Sequence, residues 1–203
     1  MARIILVRHG QTQWNREERF RGRADLALTE LGLRQARATA ERLARMGVSQ
    51  IYSSPLRRAL ETARIIGQRL GIPAQPLEEL IDIDFGDWQG LSPQEARERD
   101  GELYHLWSVS PHRVKFPGGE SLGDVRQRVS QALEKVVAEH PEETVVLVSH
   151  MVACRVMICA VLGIDNSHFW QIGQDVCAIN IFETRGDGLA LRLLNDTCHL
   201  QGL

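Results

Sequence analysis

Long apolar runs are missing from this chain of 203 residues: no stretch approaches the about 18 consecutive apolar residues that a membrane helix needs. The short apolar start, Ile4 to Val7, has neither the length nor the cleavage site of a signal peptide, so a cytoplasmic protein with no membrane partner is expected. Charge of one sign is missing too. Lys and Arg number 24 against 26 Asp and Glu, a formal net charge of −2, and nothing global draws such a chain to nucleic acid or to an acidic membrane surface. Any affinity for anions must be built locally. Cysteine is scarce, and Cys154, Cys159, Cys177 and Cys198 form neither a C-x-x-C pair nor a metal-ligand spacing. That pattern argues for buried free thiols rather than disulfides, zinc or redox chemistry. No repeat, low-complexity tract or linker divides the chain, so one domain over residues 1–203 is expected.

What is present is an ordinary globular composition, 43% hydrophobic and 25% charged, enough for a sizeable core. Apolar, β-branched runs at Arg3 to Val7, Gln50 to Tyr52, Thr144 to Val148, Cys177 to Phe182 and Leu189 to Leu194 predict strands. Helical stripes lie between them. One runs from Leu31 to Met46, with Thr29 as candidate N-cap and Gly47 as its stop; a second, opened by Pro55 and closed by Gly71, runs from Leu56 to Leu70; a third spans Leu122 to Glu139 before Pro141. Strands alternating with helices imply an α/β fold, a mostly parallel central sheet flanked by helices on both faces. Residues 86–120, with Trp88, Pro93, Tyr104, Trp107, Pro111 and the "PGG" of 117–119, break the rhythm and predict an excursion over the sheet.

Ligands of open α/β sheets collect beyond the carboxyl ends of the strands, and two strands here end alike: "ILVRHG" delivers Arg8 and His9, and "VVLVSHM" delivers His150. Arg8, Arg21 and Arg58 add guanidinium groups suited to bidentate contact with a phosphate. Arg58 falls in the first turn of a helix, where the dipole disfavours a cation, so it needs a compensating anion that a bound phosphate could supply.

The blocks "LVRHGQTQWN", "FRGRADLALTELG", "IYSSPLRRALETA", "FGDWQG" and "LVSHM", in this order and over nearly the whole chain, resemble the histidine phosphatase superfamily, which includes the cofactor-dependent phosphoglycerate mutases. The resemblance implies that His9 attacks phosphorus to give a phosphohistidine that water then hydrolyses. It also implies that Arg8, Arg58 and His150 surround the phosphoryl oxygens and that Asn15, Arg21 and Gly22 add to the phosphate site, with no metal and no cofactor. Relatives carry glutamate four residues before the glycine of the "FGDWQG" block; here Asp82 holds that place and is the first choice as general acid, with Glu79 or Asp84 as alternatives.

Phosphoglycerate mutases of the family are longer, with parts that shield the phosphohistidine from water, so this shorter chain is expected to be a phosphatase for a small phosphorylated metabolite. "PHRVKFPGGESL", "HFWQIGQD" and "NDTCHL" are similar to the metal-independent phosphoserine phosphatases, which makes L-phosphoserine the leading candidate. His112 and Arg113 are candidate contacts for it, and Phe85 stands where serine-phosphate-selective members have histidine. A broad-specificity, sugar-phosphate or ribazole phosphatase, a weak mutase, and more distantly a non-catalytic phospho-ligand module are the alternatives. Trp107, Phe169 and Trp170 are expected in core or interface packing rather than as stacking platforms, and the "HFW" region and C-terminal tail are candidates for a homodimer contact.

Overall fold

The β-branched runs pair as the centre of one six-stranded sheet. The computed structural model describes residues 1–186 and 188–203. Its elements in chain order are β1 (Arg3–Arg8), α1 (Gln13–Arg16), α2 (Glu30–Leu43), β2 (Val48–Ser53), α3 (Arg57–Leu70), β3 (Ala74–Pro76), α4 (Pro93–Arg99), α5 (Gly101–Val109), α6 (Leu122–Glu139), β4 (Thr144–Ser149), α7 (Met151–Val161), β5 (Ile179–Arg185) and β6 (Gly188–Asp196). The strands lie in the order β3-β2-β4-β1-β5-β6. β1 and β2 run parallel to β4, β3 runs parallel to β2, β5 is antiparallel to β1, and β6 is antiparallel to β5. The expected α/β class with a mostly parallel, helix-flanked sheet is the one that forms.

Side chains alternate across a strand, and that alternation divides the core in two. Ile5, Val7, Val146 and Val148 face Ala40 and Leu43 of α2 and Ala59, Ala63 and Ile66 of α3. Ile4, Leu6, Val145 and Leu147 face the other way, onto Val125, Val129 and Leu133 of α6 and Val156 and Met157 of α7. Burying each of these large side chains contributes about 1.5–3 kcal/mol relative to leaving it exposed.

The helix ends follow from their capping residues. Thr29 accepts a hydrogen bond from the Gly32 N–H at the start of α2, α3 ends on Gly71 in the left-handed region at φ 73°, and Ser121 opens α6 in a reciprocal capping box with Asp124. α2 stops sooner than its apolar stripe, with Ala44 as C-cap and Gly47 beyond it at φ 65°. Residues 86–120 hold a 3₁₀ turn at Gly86–Trp88, the helices α4 and α5, and a second turn at Pro111–Arg113. Among the described residues no helix is long and apolar enough to cross a membrane.

Candidate active site

β1 and β4 are adjacent, parallel and in register with Arg8 opposite Ser149. The next residue of each, His9 and His150, therefore leaves the sheet at the same edge, and their ring centroids stand 5.2 Å apart. Both rings are buried, His9 at 1% and His150 at 0% exposure.

His9 Nδ1 lies 2.7 Å from the Gly10 carbonyl oxygen. A carbonyl only accepts, so Nδ1 carries the proton of the neutral ring and Nε2 keeps its lone pair. Arg58 Nε–H donates to that Nε2 over 3.2 Å. Burial first, and then the charges of Arg58 and Arg8, hold the His9 pKa well below the ordinary histidine value. The ring thus favours its neutral form, with the Nε2 lone pair set beside the Arg58 cation.

His150 caps the start of α7. Its Nε2 pairs with Ser54 Oγ at 2.7 Å, while its buried Nδ1 has no hydrogen-bond partner and lies 3.9 Å from Asp82 Oδ2. Burial, then Arg58 and His9, push its pKa down as well.

Arg58 is fully buried. Its Nη1 donates to the Ala24 carbonyl at 2.7 Å, and its Nη2 to the Gly22 carbonyl at 2.7 Å and to Asp82 Oδ2 at 3.2 Å. The place beside Arg58 that a compensating anion would take in the first turn of α3 is therefore filled from within the chain, by the carboxyl group of Asp82. Arg8 is less well provided for. Its Nη1 donates to the Gln174 carbonyl, its Nε is buried without a partner, and burial followed by repulsion from Arg21 draws its pKa down to about 9.

Asp82 is 4% exposed, and its Oδ1 accepts from the Ile83 N–H at 3.0 Å. Burial raises its pKa and outweighs the opposing pull of Arg58 and Arg21. Burial works against the charged form of both partners, and the attraction within the Arg58–Asp82 pair offsets it only in part. Of the three carboxylates considered from the sequence, Asp82 alone lines the cavity over the site. Asp84 instead accepts from the Gly86 N–H at 2.8 Å and faces Arg23, and Glu79 meets Arg128 through its backbone carbonyl.

The remaining predicted residues divide. Arg21 lines the cavity beside Asp82, and Gly22, at φ 47°, offers its carbonyl to Arg58. Asn15, within α1, ties the helix to its N-cap, its Oδ1 accepting from the Thr12 N–H and Oγ–H at 2.8 Å each. Phe85 forms part of the cavity wall. His112 and Arg113 are exposed while Pro111, Val114 and Phe116 take the buried positions of that segment, and neither is part of the cavity wall.

The family model of the histidine phosphatase superfamily (branch 1) matches residues 4–197. The chain belongs to that superfamily. It is 40% identical over 200 residues to phosphoserine phosphatase 1 of Hydrogenobacter thermophilus, covering 98% of this chain and 95% of that one. Among solved structures it superposes on Bacillus stearothermophilus YhfR with a TM-score of 0.95 at 32% identity, covering 99% and 100% of the two chains. A mycobacterial glucosyl-3-phosphoglycerate phosphatase gives a TM-score of 0.89 at 30% identity, with 96% and 99% covered.

The cavity of this phosphatase, about 230 Å³, opens from Asp82 and Arg21. Its walls hold residues that the sequence did not single out as functional, among them Glu18, Phe20, Tyr104 and Met151, together with Trp107 and Trp170, which were expected in packing alone. Phe169 is core, fully buried. Only Met151 carried a positional clue, because it follows His150 directly. Among the described residues no group of three or more His, Cys, Asp or Glu is placed to hold a metal ion.

Proposed function

We propose that this chain is a metal-independent phosphomonoesterase for a small phosphorylated metabolite, working through a phosphohistidine at His9. His9 Nε2 forms a bond to phosphorus as the ester P–O bond breaks, and Asp82 gives its proton to the departing alkoxide. Asp82, now a carboxylate, takes a proton from water as that water attacks phosphorus, and the N–P bond breaks to release orthophosphate and restore the neutral ring. Arg8, Arg58 and His150 hold the phosphoryl oxygens, supplying in a dry site the positive charge that a metal ion supplies elsewhere. The observation that carries this reading is the His9 tautomer. Nδ1–H is committed to the Gly10 carbonyl, and Nε2 is aimed among the guanidinium groups.

Water rather than a second alcohol is the acceptor, in keeping with the phosphatases among the named relatives. L-Phosphoserine is the first substrate to test, on the strength of the resemblance and of the named relative. The test is phosphate release, with EDTA throughout, from L-phosphoserine, 3-phosphoglycerate, a sugar phosphate, ribazole phosphate and p-nitrophenyl phosphate. Release is expected to survive the chelator and to be lost in His9→Ala with the fold retained. Turnover by His9→Ala would overturn the nucleophile, and loss in EDTA would overturn the metal-free site. Binding without release from any ester would make the chain a phospho-ligand module.

A further inference from the structure

The walls of the cavity are more apolar than a compact, doubly charged alcohol such as serine would want. Phe20, Phe85, Tyr104, Trp107, Met151 and Trp170 line it. A cavity of about 150 Å³ lined by apolar side chains holds a benzene ring, so the about 230 Å³ present here has room for a ring.

Trp170 is the telling member. It remains 41% exposed, yet four contacts fix it. Its Nε1–H donates to the Trp107 carbonyl at 2.8 Å. Its ring meets Trp107 edge-on at 5.4 Å and Phe169 edge-on at 4.8 Å. The Arg155 guanidinium stands 4.9 Å from its centroid. Arg155 itself has Nε and Nη1 buried without a hydrogen-bond partner, so the rings of Phe169 and Trp170 are what it rests on. An exposed indole held this firmly has lost its rotamer freedom before any ligand arrives, which is the condition for inexpensive stacking.

The charged groups at the cavity point the same way. Arg19 is already paired with Glu17 and Glu95 at 3.0 and 3.2 Å. Arg21 donates from Nη1 to the Trp14 carbonyl at 3.0 Å and belongs to the phosphoryl end. Asp82 faces Arg58. The remaining charge at the cavity is Glu18, held at φ 55°, which suits an ammonium but repels the carboxylate of phosphoserine or phosphoglycerate. The two cations that line the cavity, Arg19 and Arg21, are already engaged by groups of the chain itself, so a substrate carboxylate has to compete for them.

We propose that the cavity binds phosphomonoesters whose alcohol carries an uncharged apolar ring, in preference to phosphoserine, and that Trp170 selects them by stacking. The inference rests on the phosphomonoesterase reading above. The test compares kcat/KM for benzyl phosphate, ethyl phosphate and L-phosphoserine, three alkyl esters chosen so that the departing oxygen is an alkoxide in each and the ring is the variable. Benzyl phosphate is expected to exceed both others by about tenfold or more, the scale of one stacked ring. In Trp170→Ala the ratio of benzyl to ethyl phosphate is expected to fall by about the same factor, and in Trp170→Phe to be largely kept. Because the ratio is taken within one preparation, loss of folded protein cancels from it. Phosphoserine equal to or better than benzyl phosphate, or a ratio untouched by Trp170→Ala, overturns the ring-binding site and leaves the phosphatase standing. No release from any of the three by the wild-type chain overturns both.

Discussion

The position of one proton decides what each central residue can do. His9 and His150 are both held below the ordinary histidine pKa of 6.5. In the unfolded chain each therefore binds a proton near that pH which the folded protein refuses. Their contribution to stability is complete above about pH 6.5 and is lost as pH falls toward the folded values, by up to about 1.4 kcal/mol per pH unit for each ring. Thermal melts across the histidine range should show this slope, and the double variant His9→Gln, His150→Gln should flatten it; an unchanged slope would assign it to other groups. Asp82 has the opposite sign. Its pKa is raised by burial, so its burial is tolerated at low pH and weakens the fold as pH rises through the folded value. The raised value also keeps a proton available for the leaving alkoxide. In kcat/KM, which reads the steps through ester cleavage and not the later hydrolysis of the phosphohistidine, Asp82→Asn is expected to cost ethyl phosphate about 10²–10⁴-fold and p-nitrophenyl phosphate much less, because that leaving group departs without a proton. Equal losses on the two esters would remove Asp82 from the role of acid.

At the scale of elements, the loop that carries Asp82 is fastened by glycines. Gly86, at φ 50°, packs so closely on the "PGG" segment that a Cβ there would collide with the Pro117 carbonyl, and Asp87 N–H donates to that carbonyl at 3.0 Å. Gly71 has a similar φ of 73° at the end of α3 but open space around it. Gly71→Ala should therefore cost about 1 kcal/mol, and Gly86→Ala distinctly more, in urea melts of the two variants. Equal costs would mean that the backbone conformation alone matters. The same contrast explains what could be read from the sequence. β1 and β4 were legible because apolar, β-branched runs stop at His9 and His150, and α3 and α6 because their stripes are bounded by Gly71 and Pro141. That β1 and β4 are neighbours was beyond reach, since strand pairing is settled by contacts far apart in the chain. α7 was missed because "MVACRVMICAV" is apolar nearly all round and has no stripe, and β3 because three residues make no pattern. His112 and Arg113 stand exposed outside the cavity wall, a placement that their charge pattern in the sequence does not reveal. Trp170 reads as packing in the sequence because no basic surface accompanies it, and only its neighbours show it fixed at the cavity wall.

Across the whole molecule, the site is where separate parts of the sheet meet: Arg8 and His9 from the end of β1, Arg58 from α3, His150 between β4 and α7, and Asp82 from the loop before residue 86. A dianion held by all of them joins segments distant in sequence and is released when the chain unfolds. Orthophosphate at about 100 times its Kd should add about 2.7 kcal/mol of stability, a rise in Tm of several degrees for a chain of this size. Arg58→Ala should lose that response; a wild-type Tm indifferent to phosphate would count against the anion site. The unpartnered Nε of Arg8, buried beside a second arginine and two imidazoles, has a less obvious outcome. The group that best serves a phosphate is the one that the resting fold would do better without. Arg8→Met should leave the protein no less heat-stable while ending turnover. A search for hardier versions of this enzyme scored on survival alone would therefore drift toward inert ones, and the first position to be lost would be this arginine.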